Sequence, residues 1–141
     1  MNAFIDYSNV YLCKAGFDVK TIYVAELSAE DLVKANFSSA AIQEKLQWVE
    51  SARAVILVSP VYKAAYTGGL KLFLDLLPQK GLDKKIVLPL FIGGSMAHLL
   101  AIDYALKPVV SALAGRHVLG GVYGVDQWIQ RVDSGFTMKK A

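Results

Sequence analysis

A chain of 141 residues has room for one domain, which buries roughly two-thirds of the surface its unfolded form exposes and leaves no space for a second independent unit. Fifteen basic against twelve acidic residues leave a net charge of +3, with no basic cluster beyond Lys84-Lys85 and Lys139-Lys140, so nucleic-acid binding has little support while small anionic ligands remain compatible. The hydrophobic fraction of 55% and the mean hydropathy of +0.39 are high, yet no apolar stretch reaches the roughly 18 residues of a membrane helix; buried parallel strands and a subunit interface account for the excess.

Residues 3–15 read as a helix closed by Gly16, and residues 19–24 as a strand rich in β-branched and aromatic side chains. Ser28 caps a short helix with Glu30 and Asp31 in its first turn. Ser39 opens a longer one that aligns Ile42, Leu46 and Val49 on one face. The run Ala54-Val55-Ile56-Leu57-Val58 is continuously apolar, as a parallel strand covered on both faces must be. Thr67 then caps a helix whose Leu70, Phe73, Leu74 and Leu77 share a face, while Lys71 and Asp75 pair on the other and Pro78 marks its end. A third strand is expected over 86–92, a helix over 96–114 and a fourth strand over 117–122; residues 127–132 are too few to stand in for a final helix. Strands alternating with helices imply right-handed crossovers and a doubly wound α/β three-layer sandwich with a parallel sheet.

Ligands of such sheets sit outside the carboxyl ends of the strands. Two segments fall there. One is Ser59-Pro60-Val61-Tyr62-Lys63-Ala64-Ala65-Tyr66-Thr67-Gly68-Gly69, where a buried strand empties into a proline-bearing loop and then a glycine-opened helix. The other is Gly93-Gly94-Ser95, where missing Cβ atoms let a flat ligand approach the main chain and Ser95 can donate or cap the next helix. Read alone, Gly93-Gly94 is better taken as an ordinary strand-to-helix turn; together with the Pro60 segment the functional reading prevails. Gly68 and Gly69 each cost a helix about 1 kcal/mol relative to alanine, which points to a packing reason such as the approach of the helix to a ligand or a second subunit. Pro108 has no N–H for the carbonyl of Tyr104, so the helix that holds both kinks or takes up a one-residue π-bulge, a defect that often marks functional positions. The alternative for Tyr104 is a core tyrosine in a kinked helix. His98 reads as a structural residue, His117 has no evident partner, and the one cysteine, Cys13, with two histidines excludes both an internal disulfide and a typical structural zinc site. No metal is expected. Met1-Asn2-Ala3 opens without a basic segment and long apolar core, so the expected location is cytoplasmic.

The string from Pro60 to Tyr66, the helix end Leu74-Asp75-Leu76-Leu77-Pro78, and Gly93-Gly94 followed by His98-Leu99-Leu100-Ala101-Ile102-Asp103-Tyr104-Ala105-Leu106-Lys107-Pro108 together resemble the NADPH-dependent FMN reductases, above all the reductase of two-component alkanesulfonate monooxygenase systems. The likeness runs from about Gly16 to about Gly121. It implies a flavodoxin-like order, in which the family's first strand and its phosphate loop would precede Met1; the expectation is one flavodoxin-like domain over 1–141, truncated at the first strand and incomplete at both ends. It further implies FMN and NADPH as ligands and hydride transfer directly between stacked rings, with no catalytic acid or nucleophile from the protein. The main chain of Pro60, Val61, Tyr62, Lys63 and Ala64 would face the pyrimidine edge and N5 of the flavin, with Gly93, Gly94 and Ser95 on the opposite side. Lys63 would place charge near the flavin or a cofactor phosphate, or else be merely solvated. Tyr104 would lie in a π-helix at a subunit interface of a dimer or tetramer, near a neighbouring subunit's flavin, in an enzyme that hands reduced flavin to a partner monooxygenase. Two other readings stay open: a non-catalytic flavodoxin-like assembly domain, and a quinone or azo reductase of the same fold.

Overall fold

The computed structural model describes residues 1–139, so Lys140 of the carboxyl-terminal basic pair lies outside the described residues. In chain order the elements are α1 (Asn2–Lys14), α2 (Ala29–Val33), α3 (Ala40–Ser51), β1 (Ala54–Tyr62), β2 (Ala65–Tyr66), α4 (Gly68–Leu74), β3 (Ile86–Gly93), α5 (Lys107–Ala112), β4 (His117–Val118), β5 (Val122–Val125), β6 (Ile129–Val132) and β7 (Gly135–Met138). Ser28 and Thr67 cap α2 and α4 as expected, accepting from the N–H groups of Asp31 and Leu70. Lys71 and Asp75 pair at 2.6 Å across one turn of α4.

The sheet is mixed and mostly parallel. β1 pairs with β3 from Ala54 to Pro60, and β3 pairs on its far side with β4 and β5; β2 folds back antiparallel on the tip of β1. Alternation along the strands sends Leu57, Val61, Val87 and Phe91 to one face. There they meet Leu32 of α2, Ile42 and Val49 of α3, Leu70, Phe73 and Leu74 of α4, and Val110 of α5 in one core. On the opposite face α1 packs through Phe4, whose Cζ would stand 2.9 Å from a Cβ built at Gly124, the register partner of Ile92. That gives three layers, with α1 on one side and α2 to α5 on the other.

Three sequence expectations change. Residues 19–24 form no strand: among the described residues none pairs with them, and β-branched character without a neighbouring strand leaves the backbone irregular. Thr21 is held by Asn9 at 3.1 Å instead, and Ile22 and Val24 lean on the core. The same lack leaves the outer edge of β1, residues 54–60, without a ladder partner among the described residues. The expected strand 117–122 is split into β4 and β5, with the register to β3 slipping by one residue between them. Pro89 is the cause. It has no N–H to offer that edge, and Gly120-Gly121 bulge opposite it; Gly121, at φ +79°, could hold no side chain, since a Cβ there would lie 2.8 Å from the Pro89 carbonyl oxygen. The expected helix 96–114 is broken: a single 3₁₀ turn (Met96–His98) precedes a π-helical turn (Ile102–Leu106) that runs into α5. Residues 129–132 form one arm of the exposed hairpin β6–β7.

The π-helical turn stands where Pro108 withdraws its N–H from Tyr104, and Asp103 and Lys107 pair alongside it. Within the chain a Cβ at Gly68 or Gly69 meets nothing within 4 Å, so the room they leave on α4 is not filled by the chain itself.

Candidate functional site

β1 continues as a strand four residues beyond Val58 and turns back through Lys63 and Ala64. Val61 pairs with Tyr66 and Tyr62 with Ala65, so the turn has two central residues, at φ +51° and +63°. That is the left-handed geometry of a type I′ hairpin, normally supplied by Asn-Gly. A non-glycine residue held there costs roughly 1 kcal/mol. Ala64→Gly should therefore raise the urea midpoint, by an amount worth about 0.5–1 kcal/mol; a lower midpoint would mean that the turn is not built this way.

The hairpin is anchored from beneath. Ser59, fully buried, accepts from the Thr67 N–H at 3.0 Å and donates to the Pro60 carbonyl at 2.8 Å. Tyr66 sets its ring 6.4 Å from that of Phe91, tying the return strand to β3. Tyr62 and Lys63 point outward and are exposed; Lys63 forms no ion pair among the described residues.

The second segment leaves β3. Gly93 still pairs with Val125, and a Cβ on it would lie 1.9 Å from the Tyr123 hydroxyl, so only glycine lets that ring pass beneath the loop. The Tyr123 hydroxyl donates to the Ser95 carbonyl at 2.8 Å. Burial pushes its pKa up, which keeps the proton in place. Ser95 caps the 3₁₀ turn by accepting from the Ala97 N–H.

These two segments open on one cleft of about 400 Å³, lined by Met1, Pro60, Val61, Tyr62, Ile92, Gly93, Gly94 and Asp126. It lies at the carboxyl ends of β1, β3 and β5, beside the N-terminus of α1. Five of the nine expected site residues therefore line one cavity. Lys63, Ala64 and Ser95 sit in the turns beside it, while Tyr104 lies apart on the π-helical turn, 78% exposed. Sequence reasoning missed Tyr123 and Asp126, and it placed Ser59 in the segment without giving it the anchoring role. Only the glycine at 93 hinted at Tyr123. A second groove of similar volume runs between α4 and α5, floored by Leu74, Leu77, Val109 and Leu113, away from the strand ends. Among the described residues no three His, Cys, Asp or Glu side chains group as metal ligands, and no helix is long and apolar enough to cross a membrane.

Residues 4–130 match the model of the NADPH-dependent FMN reductase family. The chain is 46% identical over 125 residues to an FMN reductase (NADPH) of Pseudomonas putida, covering 89% of this chain and 64% of that protein. It is 47% identical over 116 residues to one of Escherichia coli, covering 81% and 61%. A crystal structure of an NADH:FMN oxidoreductase in its apo form superposes with a TM-score of 0.73 at 42% identity, over 75% of this chain and 57% of that one. The chain thus spans about three-fifths of the length of the curated relatives it matches. A match over nearly its whole described length places the chain in the NADPH-dependent FMN reductase family.

Proposed function

We propose that the cleft between the Pro60–Tyr62 and Ile92–Gly94 segments receives the isoalloxazine ring of FMN, and that the protein containing this chain reduces FMN with NADPH. One observation carries the proposal: two strand-end segments, separated by thirty residues or so of chain, meet across a single cavity at the carboxyl edge of a parallel sheet. The residues present fit such a ring. The volume is within the range of small-molecule sites, and a Cβ at Gly94 would meet nothing, so that side of the cleft is open space. The main chain of Pro60 to Ala64 would hold one edge of the ring and that of Gly93 to Ser95 the other, with the Tyr62 ring available to stack. FMN, when bound, supplies the electron-accepting chemistry. This chain's part is to position the ring and keep its exposed edge open to the nicotinamide.

Tyr104, with exposed Met96, Leu99 and Leu100 on the preceding turn, forms an apolar patch that suits a homo-oligomeric interface, dimeric or tetrameric. Release of reduced flavin to a partner monooxygenase, and a cytoplasmic setting in which the exposed Cys13 stays a thiol, complete the reading. Tyr62→Ala tests the site directly. Tyr62 is 66% exposed, so the fold should be indifferent, while loss of an aromatic contact worth about 0.5–1.5 kcal/mol should raise the FMN dissociation constant about threefold to tenfold. An unchanged constant in a fluorescence titration would remove Tyr62 from the site.

A further inference from the structure

Among the described side chains that line the cleft, Asp126 is the only acidic or basic one apart from Tyr62. It stands at the carboxyl end of β5, exposed, and among the described residues it has neither an ion pair nor a side-chain hydrogen bond. The α-amino group of Met1, which lines the same cavity, is pushed down in pKa by partial burial and up by the Asp126 charge. Among the described residues no lysine or arginine lines the cavity.

We propose that Asp126 is a specificity-determining residue which disfavours reduced flavin relative to oxidised flavin, so that the cleft weakens its hold on FMN once FMN has been reduced. The inference rests on the cleft being the flavin site. Two electrons and one proton pass together from NADPH to FMN, NADPH becoming NADP⁺, so the product carries one more negative charge than the FMN that entered. The phosphate is present before and after and cancels. What changes is the charge of the ring, and the Asp126 carboxylate, which lines the same cavity, repels only the reduced form. For unit charges separated by roughly 6–10 Å at a partly wet site, the repulsion amounts to about threefold to tenfold in the ratio of the two dissociation constants. A protein that binds flavin as a passing substrate gains directionality from this: oxidised flavin enters and reduced flavin leaves.

The test compares dissociation constants for oxidised FMN and for dithionite-reduced FMN under anaerobic conditions, in the parent chain and in Asp126→Asn. The exposed, unpartnered side chain makes the substitution neutral for folding. The expected result is that the reduced-to-oxidised ratio falls about threefold to tenfold in the variant. Riboflavin should show the same fall, since it has the ring without the phosphate. In the parent chain the riboflavin ratio should also fall as ionic strength rises, a readout that needs no variant. An unchanged ratio in Asp126→Asn, or a shift with FMN but none with riboflavin, overturns the proposal. The underlying site reading fails differently: a Gly93→Ala chain that binds oxidised FMN as the parent does would break it, whatever the ratio.

Discussion

Gly93→Ala should destabilise the protein by about 2–4 kcal/mol and abolish measurable FMN binding, whereas Gly94→Ala, one residue on, should fold as the parent does and lose only affinity. The difference lies in what each new methyl group meets. At position 93 it would lie 1.9 Å from the Tyr123 hydroxyl and 2.8 Å from the ring carbon that bears it. Neither side can yield cheaply. Gly93 is fixed in the ladder by Val125, and Tyr123 is one of the strand residues paired to β3. The ring must swing out, which combines an overpacking cost of about 1–3 kcal/mol with the loss of the bond to the Ser95 carbonyl, about 1 kcal/mol more. The loop then loses the tether that holds it over the cleft. At position 94 the methyl group meets no protein atom, so stability should change by less than about 0.5 kcal/mol, and the methyl group would intrude only on a bound ring. Urea unfolding and FMN fluorescence titration of both variants check the pair. In a Tyr123→Phe background, where the nearest clashing atom is absent, the cost of Gly93→Ala should shrink by about 1 kcal/mol. Full stability of Gly93→Ala in the parent background would show that Tyr123 does not run beneath the loop.

Much of this site was legible because its causes are local. The continuous β-branched run of β1, the Thr67 cap and the proline that displaces a helical hydrogen bond at Tyr104 each act within one turn or one strand. The same locality explains what the sequence concealed. Lys63-Ala64 carries none of the Asn or Gly residues that mark a type I′ turn, so the hairpin tip reads as loop; its strained backbone is imposed by Ser59 below and Tyr66 behind. Residues 19–24 have the composition of a strand, but strand formation needs a neighbour as well as propensity, and none of the described residues pairs with them. Pro89 was visible as a proline, yet its effect falls on Gly120-Gly121, thirty residues away across a parallel ladder. Tyr123 and Asp126 belong to the cleft only because β5 lies beside β3, a juxtaposition that periodicity cannot express.

Ser59→Ala should cost about 1–3 kcal/mol, far more than the removal of one exposed hydroxyl, because the group it strands is a backbone donor. Ser59 Oγ is the partner of the Thr67 N–H, and no alternative acceptor takes its place when the fully buried side chain is cut back to a methyl group. Thr67 in turn caps α4 by accepting from the Leu70 N–H at 3.2 Å, so one oxygen links the end of β1 to the start of the helix that follows the hairpin. Amide exchange at Thr67 should accelerate along with the drop in urea midpoint, and a double-mutant cycle with Thr67→Ala should show positive coupling, since each change disturbs the same junction. FMN affinity should fall as well. The Pro60–Tyr62 wall of the cleft is held in place by the very bond that stabilises the fold, whereas Tyr62→Ala leaves that bond intact and should weaken FMN alone. Equal stability of Ser59→Ala and the parent, with Thr67 exchange unchanged, would mean that the hairpin is positioned by its aromatic contact to Phe91 and not by Ser59.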